Sequence, residues 1–468
     1  MTNAGNPGAL SRRGLAALGT GAALVALARP ALAQAPSVEL QFATAVALQA
    51  AIYGIPLLGM QQRLSAEVLD TATQLAPFDA FHHYRDLATP ERAPFRAPNN
   101  DTLYSTAWLD LRGEPAILTA PATGARYWNV QVMDFASNTI ANFGQPRFGN
   151  AAARFAVVGP AWTGTLPDGL AAVVRSSTSV VALLLRILVD GPDDVPAVNR
   201  LQDGFRIASL PRFLTGRDGA EAPERETLAP WTARSATERF AALDAILRRD
   251  PVRPGEAALM DQFALIGVGP GRTIGRLAAD EALLARADEA AVAIAREAGL
   301  GLGRFVNGWR SITQGIGNYG FDYLQRAAVW VGGPLANVPE ESLYISAVLD
   351  AQGGTLDGGA ARYRLRFAPG ALPPVEAFWS LTMYERDTGR LVANPIGRYS
   401  IGNRTRGLVQ DADGGLTLAV QHARPEGAAG ANWLPAPAAP FYMTLRLYRP
   451  RETVRSGAWL PPPIERTA

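Results

Sequence analysis

The tripeptide His83-Tyr84-Arg85 concentrates the acid–base chemistry that this chain offers. Histidine occurs three times in 468 residues, at His82, His83 and His422, and two of the three stand here. An imidazole titrates near neutral pH, and a guanidinium presents a planar fork to a carboxylate or phosphate. His83 is therefore a candidate catalytic base and Arg85 a candidate substrate anchor. The competing reading makes His83 a loop-bonding residue. Chain neighbours rarely point the same way, which leaves His82 as the structural member of the pair. Further along, Pro98-Asn99-Asn100-Asp101 opens a strand-like run. Asp101 is a second candidate base, while the amides of Asn99 and Asn100 suit sugar hydroxyls or the orientation of an imidazole. The alternative is a strand-entry turn in which Asn and Asp satisfy their own backbone. Arg398, with Tyr399, Asn403, Arg404 and Arg406, forms either an anion-binding patch or a solvated hairpin face. Asp134 and Glu385 end similar strands and could supply the paired carboxylates that glycosidases use. Asp411-Ala412-Asp413-Gly414-Gly415 begins like a calcium loop, lacks the later ligands, and reads as a hairpin turn.

Absences narrow the chemistry further. The chain has no cysteine and no lysine, so all 44 basic residues are arginines. Disulfides, thiolate nucleophiles and iron–sulfur ligation are excluded, as are Schiff-base and phosphate-loop lysine mechanisms. No Gly-x-Ser-x-Gly elbow, Gly-x-Gly-x-x-Gly after a strand, or His-Glu-x-x-His is present. The sequence names no cofactor and no metal.

The N-terminus reads as an address. Arg12-Arg13 precede a short apolar run from Ala16 to Ala28, and Ala31-Leu32-Ala33 is a small-x-small cleavage pattern. Residues 1–33 are expected to be a twin-arginine signal peptide rather than a stable membrane anchor. Its removal would leave 41 arginines against 42 acids, moving the balance from +2 to −1. That near-neutral balance argues against a nucleic-acid partner.

Periodicity places the candidates on elements. Val38–Ala66 reads helical, with a kink or an end near Gly54-Ile55-Pro56. Period-two runs follow at 102–111, 116–120, 126–135, 154–158 and 179–189, with a short helix at 195–205. Residues 237–248, 256–266 and 278–298 carry amphipathic helical order. Strands resume at 342–349, 361–367, 378–384, 416–421 and 441–448. An internal repeat links the two strand-rich regions. Asp101–Asp110 matches Glu341–Asp350 at five identical positions, among them Tyr104/Tyr344, and Tyr127-Trp128 through Asp134 matches Phe378-Trp379 through Glu385. The twice-present Tyr104/Tyr344 and Trp128/Trp379 are expected in the core.

Phe81-His82-His83-Tyr84-Arg85, Pro98 through Ser105, Phe378 through Tyr384, and Asn432-Trp433-Leu434-Pro435-Ala436-Pro437 together resemble a family. It is that of exported bacterial proteins pairing domains of unknown function 1254 and 1214. The resemblance implies a β-rich N-terminal module and a jelly-roll-like C-terminal module, and no established reaction.

The expectation is a mainly β fold with a helical block (α+β), built of two tandem antiparallel β-sandwich or jelly-roll-like modules. The N-terminal helix and first β module would span 34–215, the helical block 216–332, and the C-terminal module 333–468. Functionally, one reading is a periplasmic or secreted hydrolase or lyase on a carbohydrate or small carboxylate. His83 or Asp101 would act as base, with Arg85, Asn99, Asn100 and Arg398 binding substrate. The other is a non-catalytic carbohydrate- or anion-binding envelope protein. Its expected partners are the twin-arginine translocase during export and a small-molecule or sugar ligand. A homo-oligomer stays open.

Overall fold

The first helix, α1 (Val38–Leu64), carries polar groups only at Gln49 and Tyr53 between Ala45 and Met60. A helix apolar on every side belongs inside a protein, and α1 is buried at most positions from Ala43 onward. A computed structural model of the chain describes residues 37–93, 96–145, 147–216 and 228–467; the expected signal at 1–33 lies outside the described residues. The sequence suggests a kink or an end at Pro56, but α1 runs through it and closes in a π-turn, Ser65–Leu69. By length and composition residues 38–69 could cross a membrane, yet 61% of their most apolar window is buried within the protein. Gly59 is required by close packing: a Cβ there would lie 2.3 Å from the indole of Trp330.

The N-terminal strands are β1 (His82–His83), β2 (Thr102–Asp110), β3 (Ala116–Ala120), β4 (Trp128–Met133), β5 (Thr139–Gly144), β6 (Ala153–Val158), β7 (Ala172–Arg175), β8 (Val180–Leu188) and β9 (Arg206–Ser209). They form one sheet ordered β1-β2-β8-β4-β5 and another ordered β7-β6-β3-β9. Strands β2 and β8 are buried at every position, which is why Val180–Leu188 is almost continuously apolar. Leu103, Leu109, Trp128 and Leu185 on one face meet Leu118, Phe155 and Val157 of the second sheet. The opposite face offers Trp108, Met133 and Leu184 to α1 and to the helices that follow.

Two short helices, α2 (Val195–Gly204) and α3 (Leu210–Thr215), flank β9. The helical layer proper holds α4 (Ala236–Arg249), α5 (Ala257–Ala264), α6 (Glu281–Gly301) and α7 (Tyr323–Gly332). Ser235 and Glu238 form a reciprocal capping box on α4, and Asp280 and Asp322 cap α6 and α7. One departure from the expected helical order matters below. Strands β10 (Arg304–Val306) and β11 (Trp309–Ser311) make a hairpin within residues 216–332 and join the next sheet. Its turn is Asn307-Gly308, both at positive φ (55° and 81°), the pairing a two-residue hairpin demands.

The C-terminal strands are β12 (Ser342–Ala347), β13 (Arg362–Phe367), β14 (Val375–Glu385), β15 (Ser400–Gly402), β16 (Leu416–Gln421), β17 (Trp433–Pro435), β18 (Phe441–Pro450) and β19 (Ile464–Thr467), with a helical turn α8 (Glu452–Arg455). Their sheets run β10-β11-β12-β18-β14-β15 and β17-β16-β13-β19. Leu343, Trp379, Leu381 and Leu445 pack on Tyr363, Leu365, Leu418 and Val420 between them. The chain is thus a mixed α+β fold of several largely antiparallel sheets and a few helices. The pairs β6–β7 and β16–β17 are parallel.

Candidate functional site

The structure seats His83 on edge strand β1, opposite Ser105 of β2. Its Nδ1 lies 2.7 Å from the Ser105 hydroxyl, and Phe81 stacks on the ring with centroids 5.6 Å apart. Ser105 is fully buried and also receives the Gln202 amide at 3.1 Å. Burial, then the nearby Arg85 charge, pushes the imidazole down to about 4, so His83 is neutral at physiological pH. An NMR titration of the imidazole is expected to give a midpoint near 4; a midpoint at 6.5 would mean that the ring is solvated.

Arg85 faces α2 instead of a cavity. It donates to Asn199 O at 3.0 Å and to Asp203 Oδ1 at 2.6 Å, closing the C-terminal end of that helix, where a cation is favourable. Asn99 is buried and folds the entry to β2: its Oδ1 accepts from the Asp101 and Thr102 amides, and its Nδ2 donates to Tyr104 Oη at 2.6 Å. Asn100 donates to Ala88 O. Arg398 donates to Ala431 O and Trp433 O, both at 2.8 Å, and fastens the chain entering β17. Each of these side chains is engaged within the protein, and none of them lines the cleft described below.

Asp101 reaches the farthest. Its Oδ2 accepts from Ser380 Oγ at 2.6 Å, across to the C-terminal sheets. The acid opening β12 does the reverse: Glu341 Oε1 accepts from Tyr127 Oη at 2.6 Å. Between these two bonds lie two buried arginines, Arg186 and Arg446, which hold corresponding registers opposite Tyr104 and Tyr344. Arg446 donates to Thr382 Oγ1 at 2.8 Å and to Ala97 O at 2.9 Å, and it attracts Asp101 electrostatically. Arg186 donates to Gln131 and attracts Glu341. Burial raises Asp101 and pushes Glu341 up to about 7. Asn99, Asp101 and Tyr104 thus belong to a packed polar layer between the two sheet pairs. Among the described residues no three His, Asp or Glu side chains group closely enough to hold a metal ion.

Open space lies elsewhere. A cleft of about 320 Å³ is bounded by the β10–β11 hairpin, the Ile312–Gln314 segment, Gln325 of α7 and the residues after α8. Trp459 supplies aromatic surface, Trp309 being buried in the adjoining core; Arg304, Ser311, Thr313, Gln314 and Ser456 supply polar groups. None of the lining residues is a histidine or a carboxylate. Sequence reasoning passed over this site, although Asn307-Gly308 flanked by Phe305-Val306 and Trp309 is a hairpin signal.

Residues 78–209 match the family model described as protein of unknown function DUF1254, and residues 341–452 match that of DUF1214. The crystal structure of the VPA0106 protein of Vibrio parahaemolyticus is similar over 91% of this chain and 100% of its own, at 25% identity and a TM-score of 0.71. An uncharacterized protein from Burkholderia cenocepacia aligns over 92% of this chain and 94% of its own, at 13% identity and a TM-score of 0.44. No curated protein matches.

Proposed function

Since the chain carries the DUF1254 and DUF1214 domains together, we propose an exported, non-catalytic binding protein that takes a small sugar or organic anion in the cleft beside Trp309 and Trp459. One observation carries this reading: the cleft combines the Trp459 indole, hydroxyls, amides and Arg304 but lacks any acid–base pair. Aromatic faces and hydroxyl or amide partners suit sugars, and Arg304 suits a carboxylate. Hydrolysis of a glycoside needs two carboxyl groups at fixed separation, which this lining does not contain.

The remaining expectations enter the same proposal. Twin-arginine export to the periplasm rests on Arg12-Arg13 and the Ala31-Leu32-Ala33 pattern. Two jelly-roll-like sandwiches related by an internal repeat, over 34–215 and 333–468 with helices at 216–332, are supported by the matching strand orders. Sheet β7-β6-β3-β9 corresponds to β17-β16-β13-β19, down to one parallel pair in each.

The test is calorimetric titration of the purified protein with a panel of sugars and organic acids. A ligand at a hundred times its dissociation constant adds about 2.7 kcal/mol of stability, which a melt detects. Arg304→Ala or Trp459→Ala is expected to weaken binding at least tenfold. Binding indifferent to both would overturn the assignment. The hydrolase or lyase reading keeps one supporting observation, the neutral imidazole of His83. Turnover abolished by His83→Ala at unchanged melting temperature would restore it.

A further inference from the structure

We propose that the cleft is built for an aryl carboxylate, one acid group on a single flat ring, and against a sugar; this rests on the cleft being the binding site. Its floor is one face of a sheet. Strands β10, β11 and β12 pair so that Arg304, Ser311 and Ile345 stand in one cross-strand row, with Val306 and Trp309 in the next. Ile345, Trp309 and Val454 belong at the same time to the core between the C-terminal sheets. The inner wall of the cleft is thus the edge of an apolar core, while Arg304 is exposed. An amphipathic ligand matches that order, ring inward and acid outward.

Arg304 is the single charged residue in the lining, and no carboxylate of the described residues pairs with it. The facing segment makes room for its guanidinium. Gly457, at φ 76°, has no Cβ, and one there would lie 2.9 Å from Arg304 Nη1. A planar fork with no acid of its own suits one carboxylate. The other donors are largely spent. Trp459 Nε1 donates to Ala371 O at 3.1 Å, so its indole offers the cleft carbon surface and no N–H. Gln325 Nε2 donates to Gln314 O and Gly315 O, at 3.0 and 2.7 Å. A sugar brings a hydroxyl on nearly every carbon, and each one withdrawn from water without a partner is costly. A ring asks for none, and Leu302, Val306, Ile312, Leu460 and Trp459 supply apolar wall. Size agrees: an engineered cavity of about 150 Å³ binds benzene, and the cleft's 320 Å³ leaves space for the acid group as well.

Calorimetric titration of the purified protein with phenylacetate tests this, alongside phenylacetamide, acetate and glucose. One phenylacetate per chain is expected, with phenylacetamide and acetate each bound at least tenfold more weakly and no detectable glucose. Arg304→Gln is expected to bring phenylacetate down to the level of phenylacetamide and to leave phenylacetamide unchanged, a pattern that loss of folding would not produce. Phenylacetamide bound as tightly as phenylacetate would overturn the proposal, because the ring alone would then be recognised. Acetate bound as tightly would overturn it too, because the acid alone would be. Saturable glucose binding that Trp459→Ala abolishes, with no phenylacetate bound, would overturn the aryl preference and leave the cleft a binding site. Silence from all four probes would overturn the proposal, and silence from the wider panel of sugars and organic acids would remove the binding function with it.

Discussion

Arg446→Ala is expected to lower the free energy of unfolding by about 3–5 kcal/mol, because it leaves two buried acceptors without their donor and removes the cation that attracts Asp101. Arg446 is 4% exposed, so its loss leaves the Thr382 hydroxyl and Ala97 O without that donor, and Asp101 without the nearby cation, in a dry layer. In a folded chain of this size the loss would read as roughly 3–6 °C in melting temperature. Ion pairs at the surface set the contrast. Arg364 and Glu465 are 53% and 43% exposed, and removing either is expected to cost no more than about 1 kcal/mol. Adding Asp101→Asn to Arg446→Ala should recover part of the loss, because the acid is then neutral without its partner. Urea denaturation of the four members of that cycle is the measurement. A loss below about 1 kcal/mol for Arg446→Ala would mean that the layer is hydrated.

Glu341→Gln is expected to stabilise the protein increasingly as pH rises, with no difference near pH 4.5 and roughly 3 kcal/mol by pH 8. The sign follows from where the proton sits. Burial pushes Glu341 up to about 7, against 4.5 for the solvated side chain. Between those values the folded chain keeps a proton that the unfolded chain has lost, so raising pH across the window destabilises the wild type. Asp101 and Asp134, also raised by burial, act in the same direction. His83 opposes them: pushed down from 6.5 to about 4, it favours the folded state as pH rises through that interval. The wild-type curve therefore mixes signs, and only the difference between wild type and Glu341→Gln isolates one group. A flat difference from pH 4.5 to 8 would show that Glu341 is solvated.

Much of the secondary structure was legible because its causes are local. The run 102–111 reads as a strand, and β2 covers Thr102–Asp110, one residue shorter; the run 416–421 coincides with β16. Helix α2 begins at Val195 as the periodicity expected. Tyr104, Trp128 and Trp379 are buried as their recurrence suggested, while Tyr344 is only partly so. What escaped was short or set by partners. Strand β1 has two residues and exists because β2 lies beside it. The candidate chemistry was less legible than the fold. Asn99 and Arg398 look like ligands in sequence because they are strong hydrogen-bonding groups, and the same property lets them fasten turns. Which role a group takes depends on partners hundreds of residues away, such as the Ser380 hydroxyl that donates to Asp101.

The layer of arginines, tyrosines and acids between the sheet pairs also bears on synthesis. Arg186 leaves the ribosome long before Arg446, and at 5–20 residues per second the gap is roughly 10–50 s. Throughout that interval the face around Arg186, Tyr104 and Asp101 waits for its counterpart. An apolar face left open so long would be an invitation to wrong partners. A face of guanidinium, phenol and carboxylate stays wetted instead, and gives up its water only when the matching groups of β12, β14 and β18 arrive. What costs the finished protein desolvation thus gives the nascent one a soluble waiting state.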